Sequence, residues 1–176
     1  YIQGKGEGIF DPDGALTRAE AVTILDRLTE GFDENETYAC SFTDVEPSAW
    51  YSDYIGFAAL VGITNGYEDK TFRPNASITR EEFSKMLATF LELEIDEDAE
   101  ADFDDADEIS NWAKPYVAAL QKAKIVEGYD GKFNPKDNIT RAEVVTMTKR
   151  ARDGVPLGAP DRPRRGTATR SPAVSA

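Results

Sequence analysis

Three arginines stand at matching points of the sequence, Arg18, Arg80 and Arg141, each inside a Thr-Arg-x-Glu phrase: Thr17 to Glu20, Thr79 to Glu82 and Thr140 to Glu143. Thr and Glu three residues apart form the pattern of a capping box, in which each side chain accepts a hydrogen bond from the other residue's backbone N–H at a helix start. Arg then falls on the first helical position, where the helix dipole already places partial positive charge, so a cation there is mildly unfavourable. The same choice made three times needs a reason, and the residues leave two open. The guanidinium bridges to an acid of a neighbouring lobe, or guanidinium, free N–H groups and dipole converge on an anion such as a carboxylate, which matches the planar fork of Arg. The anion reading predicts that Arg80→Ala or Arg141→Ala abolishes binding and spares the fold. The bridging reading predicts the reverse.

Aromatic faces recur as well. Trp50 and Trp112 are 62 residues apart, as are Tyr67 and Tyr129, each Tyr following a glycine, Gly66 or Gly128. A Trp at a helix start either plugs the end of a bundle or offers its face to a ligand. Beside a carboxylate-binding Arg, such a face suits an acidic sugar, with C–H groups on the ring and hydroxyls on loop amides. No catalytic constellation accompanies these residues. The chain has no His, and no nucleophile–base pair is visible, so a non-enzymatic protein is expected. Cys40 is alone and reads as a small half-buried residue. The acidic stretches Asp33 to Glu36 and Ile95 to Glu108 lack the spacing of an EF-hand loop and read as solvated linkers; no metal and no cofactor is expected.

These residues sit in an internal repeat. The phrases recur at spacings of 62 and 61, each preceded by Phe-x-Pro: Phe10 to Pro12, Phe72 to Pro74 and Phe133 to Pro135. After Thr17, Ala21, Ile24, Leu25 and Leu28 make one helical stripe, and Phe83, Met86, Leu87 and Phe90 repeat it. The third stripe, Val144, Met147 and Ala151, has Thr148 in the Leu place. Gly31 reads as the stop of the first helix. A second helix type runs from Trp50 to about Val61 and from Trp112 to about Lys124, with Pro115 in its first turn. Each full unit is thus helix, glycine loop, capped helix, and the fold class is all-α. The expected bounds are 1–31 for a partial first repeat carrying only the second helix, 40–93 and 101–151 for two full ones, and 152–176 for a flexible Pro/Arg-rich tail. The chain is therefore expected to begin in mid-repeat, as a piece of something longer.

The net charge of −13 disfavours nucleic acid and anionic membrane as partners, and no apolar run approaches the roughly 20 residues that span a bilayer. Neither nucleic-acid binding nor membrane insertion is expected.

The ordered combination of Phe42-Thr43-Asp44-Val45 leading to Trp50, Gly62-Ile63-Thr64-Asn65-Gly66-Tyr67, Phe72-x-Pro74 and Thr-Arg-Ala-Glu resembles an S-layer homology (SLH) domain array over roughly residues 1–151. The resemblance implies a pseudo-threefold bundle with the capped helices at its centre and grooves between lobes. It implies an extracellular module that anchors S-layer proteins or exoenzymes by non-covalent binding of pyruvylated secondary cell-wall polysaccharide in Gram-positive bacteria. By this likeness Arg18, Arg80 and Arg141 lead in binding, with Trp50, Trp112, Gly66, Tyr67, Gly128 and Tyr129 around them. The alternative is a self-association module whose arginines only cement lobes. The chain departs from the pattern in Lys5, which stands where the other repeats have Tyr, in Glu81, which replaces Ala beside Arg80, and in Thr148, so fewer than three equivalent grooves are expected.

Overall fold

Each Thr-Arg-x-Glu phrase opens a helix in the computed structural model, which describes residues 11–29 and 31–154. The helices are α1 (Arg18–Asp26), α2 (Ser52–Leu60), α3 (Arg80–Phe90), α4 (Lys114–Lys122) and α5 (Arg141–Gly154), with one 3-10 turn at Ala106–Glu108 and no strand among the described residues. Thr17, Thr79 and Thr140 accept from the amides of Glu20, Glu82 and Glu143, and those carboxylates accept from the Thr amides at 2.8, 3.0 and 2.8 Å. The stripes behind the caps are buried, Leu25 and Leu87 completely, except Leu28, which is half-buried at the end of the first. Thr148 turns its hydroxyl back to the Val144 carbonyl at 2.7 Å, which lets a polar residue occupy the weak point of the third stripe.

Three backbone hydrogen bonds join the repeats in a closed ring. Ile78 donates to Leu16, Leu16 to Ile139, and Ile139 to Ile78, at 3.1, 3.2 and 3.0 Å. All three side chains are fully buried, so the ring lies at the heart of the molecule and defines its pseudo-threefold centre. The first two amides of each capped helix are taken by carbonyls of another repeat: Arg18 and Ala19 donate to Ala76 and Pro74, Arg80 and Glu81 to Asp137 and Pro135, Arg141 and Ala142 to Gly14 and Pro12. The free N–H groups that the anion reading invokes at those helix starts are therefore already bonded at the first two positions. Every repeat caps its neighbour.

The Trp-bearing helices also cross between repeats, α2 packing on α1 and α4 on α3. They are shorter than expected, beginning two residues after their Trp. α2 and α4 end in six-to-one hydrogen bonds, Ile63 to Ala58 and Ile125 to Leu120, around left-handed Gly62 and Lys124. α1 stops at Asp26, short of Gly31, and α5 carries Arg152–Gly154, which the sequence assigned to the tail; residues 155–176 lie outside the described residues.

Two carboxylates shape the loops between helices. Asp44 accepts from the amides of Phe72 and Arg73 at 2.7 and 2.8 Å, and Asp105 from those of Phe133 and Asn134 at 2.8 and 2.7 Å. They hold the second and third Phe-x-Pro turns in a form whose middle residue has positive φ, 60° at Arg73 and 54° at Asn134; Asp11 of the first has φ 49°. Asp and Asn tolerate that conformation; Arg73 is strained in it. A third carboxylate has no such duty. Asp26 is fully buried with neither side-chain oxygen hydrogen-bonded, and burial pushes its carboxyl well above the usual carboxylate range.

Candidate functional site

A groove of about 730 Å³ opens where three repeats meet. One wall is the Gly62–Asp69 loop with Arg73, the floor comes from α3 through Glu82, Lys85, Met86 and Thr89, Arg18 reaches in from α1, and Trp112 and Tyr116 face them from the third repeat. Trp112 and Trp50 are exposed, so neither plugs the core as one sequence reading allowed. The reason is that both stand before their helices begin, outside the face that packs inward.

The arginines are largely committed to lobe packing. Arg18 donates from Nε to the Phe72 carbonyl at 2.8 Å and from Nη1 to Glu82 Oε1 at 3.1 Å. Arg80 donates in the same way to the Phe133 carbonyl at 2.6 Å and to Glu143 Oε1, and Arg141 lies 3.9 Å from Glu20 Oε1. The ion pairs thus run from repeat one to two, two to three and three to one. Each Glu caps its own helix with Oε2 and pairs with another repeat's Arg through Oε1. Arg18 and Arg141 are buried and Arg80 nearly so. Glu81, which replaces Ala beside Arg80, accepts from the Ser110 amide and hydroxyl and from Lys136 at 3.0, 2.9 and 2.6 Å, tying α3 to the loops on either side of it.

Tyr67 links Arg18 to the loop. Its hydroxyl donates to Glu82 Oε1 at 2.7 Å, and its ring lies 4.6 Å from the Arg18 guanidinium carbon and 4.0 Å from that of Arg73. Burial, then donation to Glu82, raises its phenol above the ordinary value, while the two arginines pull the other way. Asp69, hydrogen-bonded first by the Thr71 hydroxyl, then by the Thr71 amide and Arg73, is held down to about 2. Tyr129 does not reproduce Tyr67. Its loop is one residue shorter and closes as a tight turn over Asp130 and Gly131, both at positive φ, leaving Tyr129 85 % exposed.

Gly66 and Gly128 are required by packing. At φ of 66° and 71°, a Cβ on either would run into Phe42 or Phe103 and into a loop carbonyl, that of Thr71 or Lys132. Trp50, with Tyr54 and Arg27, forms a related surface beside α1, where Arg27 Nη2 donates to the Tyr54 hydroxyl at 3.1 Å. Lys5, which stands where the other repeats have Tyr, lies outside the described residues.

Sequence reasoning missed Arg73, Lys85 and Tyr116. A signal existed for Tyr116, which repeats Tyr54 at the Trp spacing, but none for the other two, which have no counterpart in the other repeats.

The same repeated features are those of a described family: the model for the S-layer homology domain matches residues 1–22, 41–84 and 102–145. The chain belongs to the S-layer homology family. Among its relatives, cell surface glycoprotein 1 of Acetivibrio thermocellus is 34% identical over 174 residues, covering 91% of this chain and 7% of that protein. The cellulosome-anchoring protein of the same organism is 33% identical over 165 residues (89% and 36%), and the surface-layer 125 kDa protein of Lysinibacillus sphaericus 34% over 158 (88% and 13%). This SLH array therefore spans well under half of each of these relatives.

Proposed function

We propose that this SLH array is a non-catalytic cell-envelope anchoring module that holds an acidic, pyruvylated secondary cell-wall polysaccharide in the groove between Arg18, the Gly62–Asp69 loop and Trp112. The observation that carries this reading is the groove's composition. Two aromatic side chains, Trp112 and Tyr116, face a loop rich in backbone amides across a space large enough for a sugar unit, with Arg18, Arg73 and Lys85 supplying positive charge on a strongly acidic protein. Family membership and the surface-layer and anchoring relatives support a cell-surface location. No helix among the described residues is long and apolar enough to cross a membrane.

Among the described residues only this groove has every element. The Arg80 counterpart has an outward-turned Tyr129 and no Trp-bearing helix over α5. Co-sedimentation with purified cell walls tests the reading. Pelleting with intact walls, lost once the non-peptidoglycan polymer is stripped, is the expected result; equal pelleting before and after stripping refutes it. The self-association reading draws support from the Arg–Glu ring, which accounts for the three arginines without a ligand, and it predicts concentration-dependent oligomers and no pelleting with walls.

A further inference from the structure

The cations of the groove differ in how far their charge is already spent. Arg18 is buried, with Nε on a carbonyl, Nη1 on Glu82 and its guanidinium against the Tyr67 and Phe72 rings. Arg73 is paired with Asp69 at 3.0 Å and lies against Tyr67. Lys85 is different. Its ammonium lies 5.6 Å from the centre of the Trp112 ring and 5.5 Å from that of Tyr116, and among the described residues it has neither an acidic partner nor a hydrogen-bond acceptor. Two rings attract the cation and strip part of its water, while its N–H donors remain uncommitted.

The position is peculiar to this groove. The other repeats have Thr23 and Thr146 there, each hydroxyl turned back to its own helix, onto Ala19 and Ala142 carbonyls at 2.9 Å. The acids that line the groove do not neutralise Lys85: Glu82 is taken by Arg18, Tyr67 and Thr79, Asp69 by Arg73 and Thr71, and Glu68 is exposed.

We propose that Lys85 is the carboxylate receptor of this groove, binding the acid group of the glycan while Trp112 and Tyr116 pack on the sugar face, and that Arg18 is a positioning residue that holds Glu82 and Tyr67 in place. This rests on the reading that the groove binds the wall glycan. An uncommitted ammonium gains a charge-assisted hydrogen bond without giving one up, whereas Arg18 would have to release Glu82.

Calorimetry with a pyruvylated wall-polysaccharide fragment and its depyruvylated form, on the wild-type chain, Lys85→Gln and Lys85→Arg, tests it. The wild type should bind the pyruvylated fragment at least about tenfold more tightly, a difference of about 1.4 kcal/mol. Lys85→Gln should lose that preference by weakening only the pyruvylated complex, with an unchanged thermal unfolding midpoint, and Lys85→Arg should retain most of it. A Lys85→Gln protein that keeps the preference overturns the role of Lys85 and leaves the groove reading standing. Equal wild-type affinity for the two fragments overturns carboxylate recognition altogether, and no binding of either removes the groove reading and Lys85 with it.

Discussion

Replacing Asp26 with Ala should stabilise this protein, although it removes an atom-filled part of a well-packed helix. Asp26 sits in the last turn of α1, fully buried, with both carboxyl oxygens unpaired, at a place where α3 has Ala88. An unpaired polar group held out of water costs about 1–3 kcal/mol by mutational measures, and Ala removes that cost; the small cavity left behind offsets part of the gain. At roughly 2–4 °C per kcal/mol for a chain of this size, the melting temperature should rise by about 2–10 °C. The pH dependence is the sharper check. A folded-state value raised above the unfolded one means that the folded state holds a proton the unfolded state gives up. The wild type therefore keeps its full stability below the unfolded carboxylate range and loses it as pH rises toward the folded value. Asp26→Asn keeps the shape and the unpaired polar atoms but cannot ionise, so its advantage over wild type should be absent near pH 3.5 and grow toward pH 7. Denaturant unfolding of the three proteins across that range reads both effects. No gain for Ala at neutral pH, or an Asn advantage that is flat with pH, would refute the argument.

Leu25 is fully buried in α1, so Leu25→Ala should cost about 2–5 kcal/mol, seen as a lower denaturant midpoint; an unchanged midpoint would mean that the first repeat is not part of the body. Arg80→Ala removes donors from Glu143 and the Phe133 carbonyl and should cost roughly 1–3 kcal/mol in thermal unfolding, with wall binding retained at temperatures where the variant stays folded. Lost binding with an intact fold would restore the anion role for that residue. Arg73→Asn places at φ 60° the residue that Asn134 already supplies in the third repeat, and should raise stability by up to about 1 kcal/mol; a fall would mean that the contacts of Arg73 with Asp69 and Tyr67 outweigh its backbone strain.

Local signals in the sequence were strong enough to carry the helices. A capping box and an apolar stripe are defined within twelve residues, and three copies fix their register. The same locality hid the ring of ion pairs. Glu20, Glu82 and Glu143 each have two oxygens, and a reading along the chain assigns the residue to its own cap, leaving the second oxygen unaccounted for, its partner 64 residues away for Glu82, 63 for Glu143 and 121 for Glu20. The bonding of the first two amides at the helix starts was hidden for the same reason, since their acceptors come from another repeat. Asp26 escaped because α1 is buried nearly all round by α2 and α3, so a polar residue off the apolar stripe is not thereby on the surface. Tyr67 and Tyr129 look alike in sequence but diverge in space through a single deleted loop residue.

The ring of backbone bonds through Leu16, Ile78 and Ile139 has a consequence for any shortened form. Each repeat offers a donating side and an accepting side that differ, and the ring closes only because three such steps complete a turn. A piece holding two repeats keeps one joint and exposes the two halves of another, facing in directions that cannot meet within one molecule. Those halves fit each other across molecules, so such a piece would associate head to tail without completing a ring from intact pieces, with an assembly state set by its concentration.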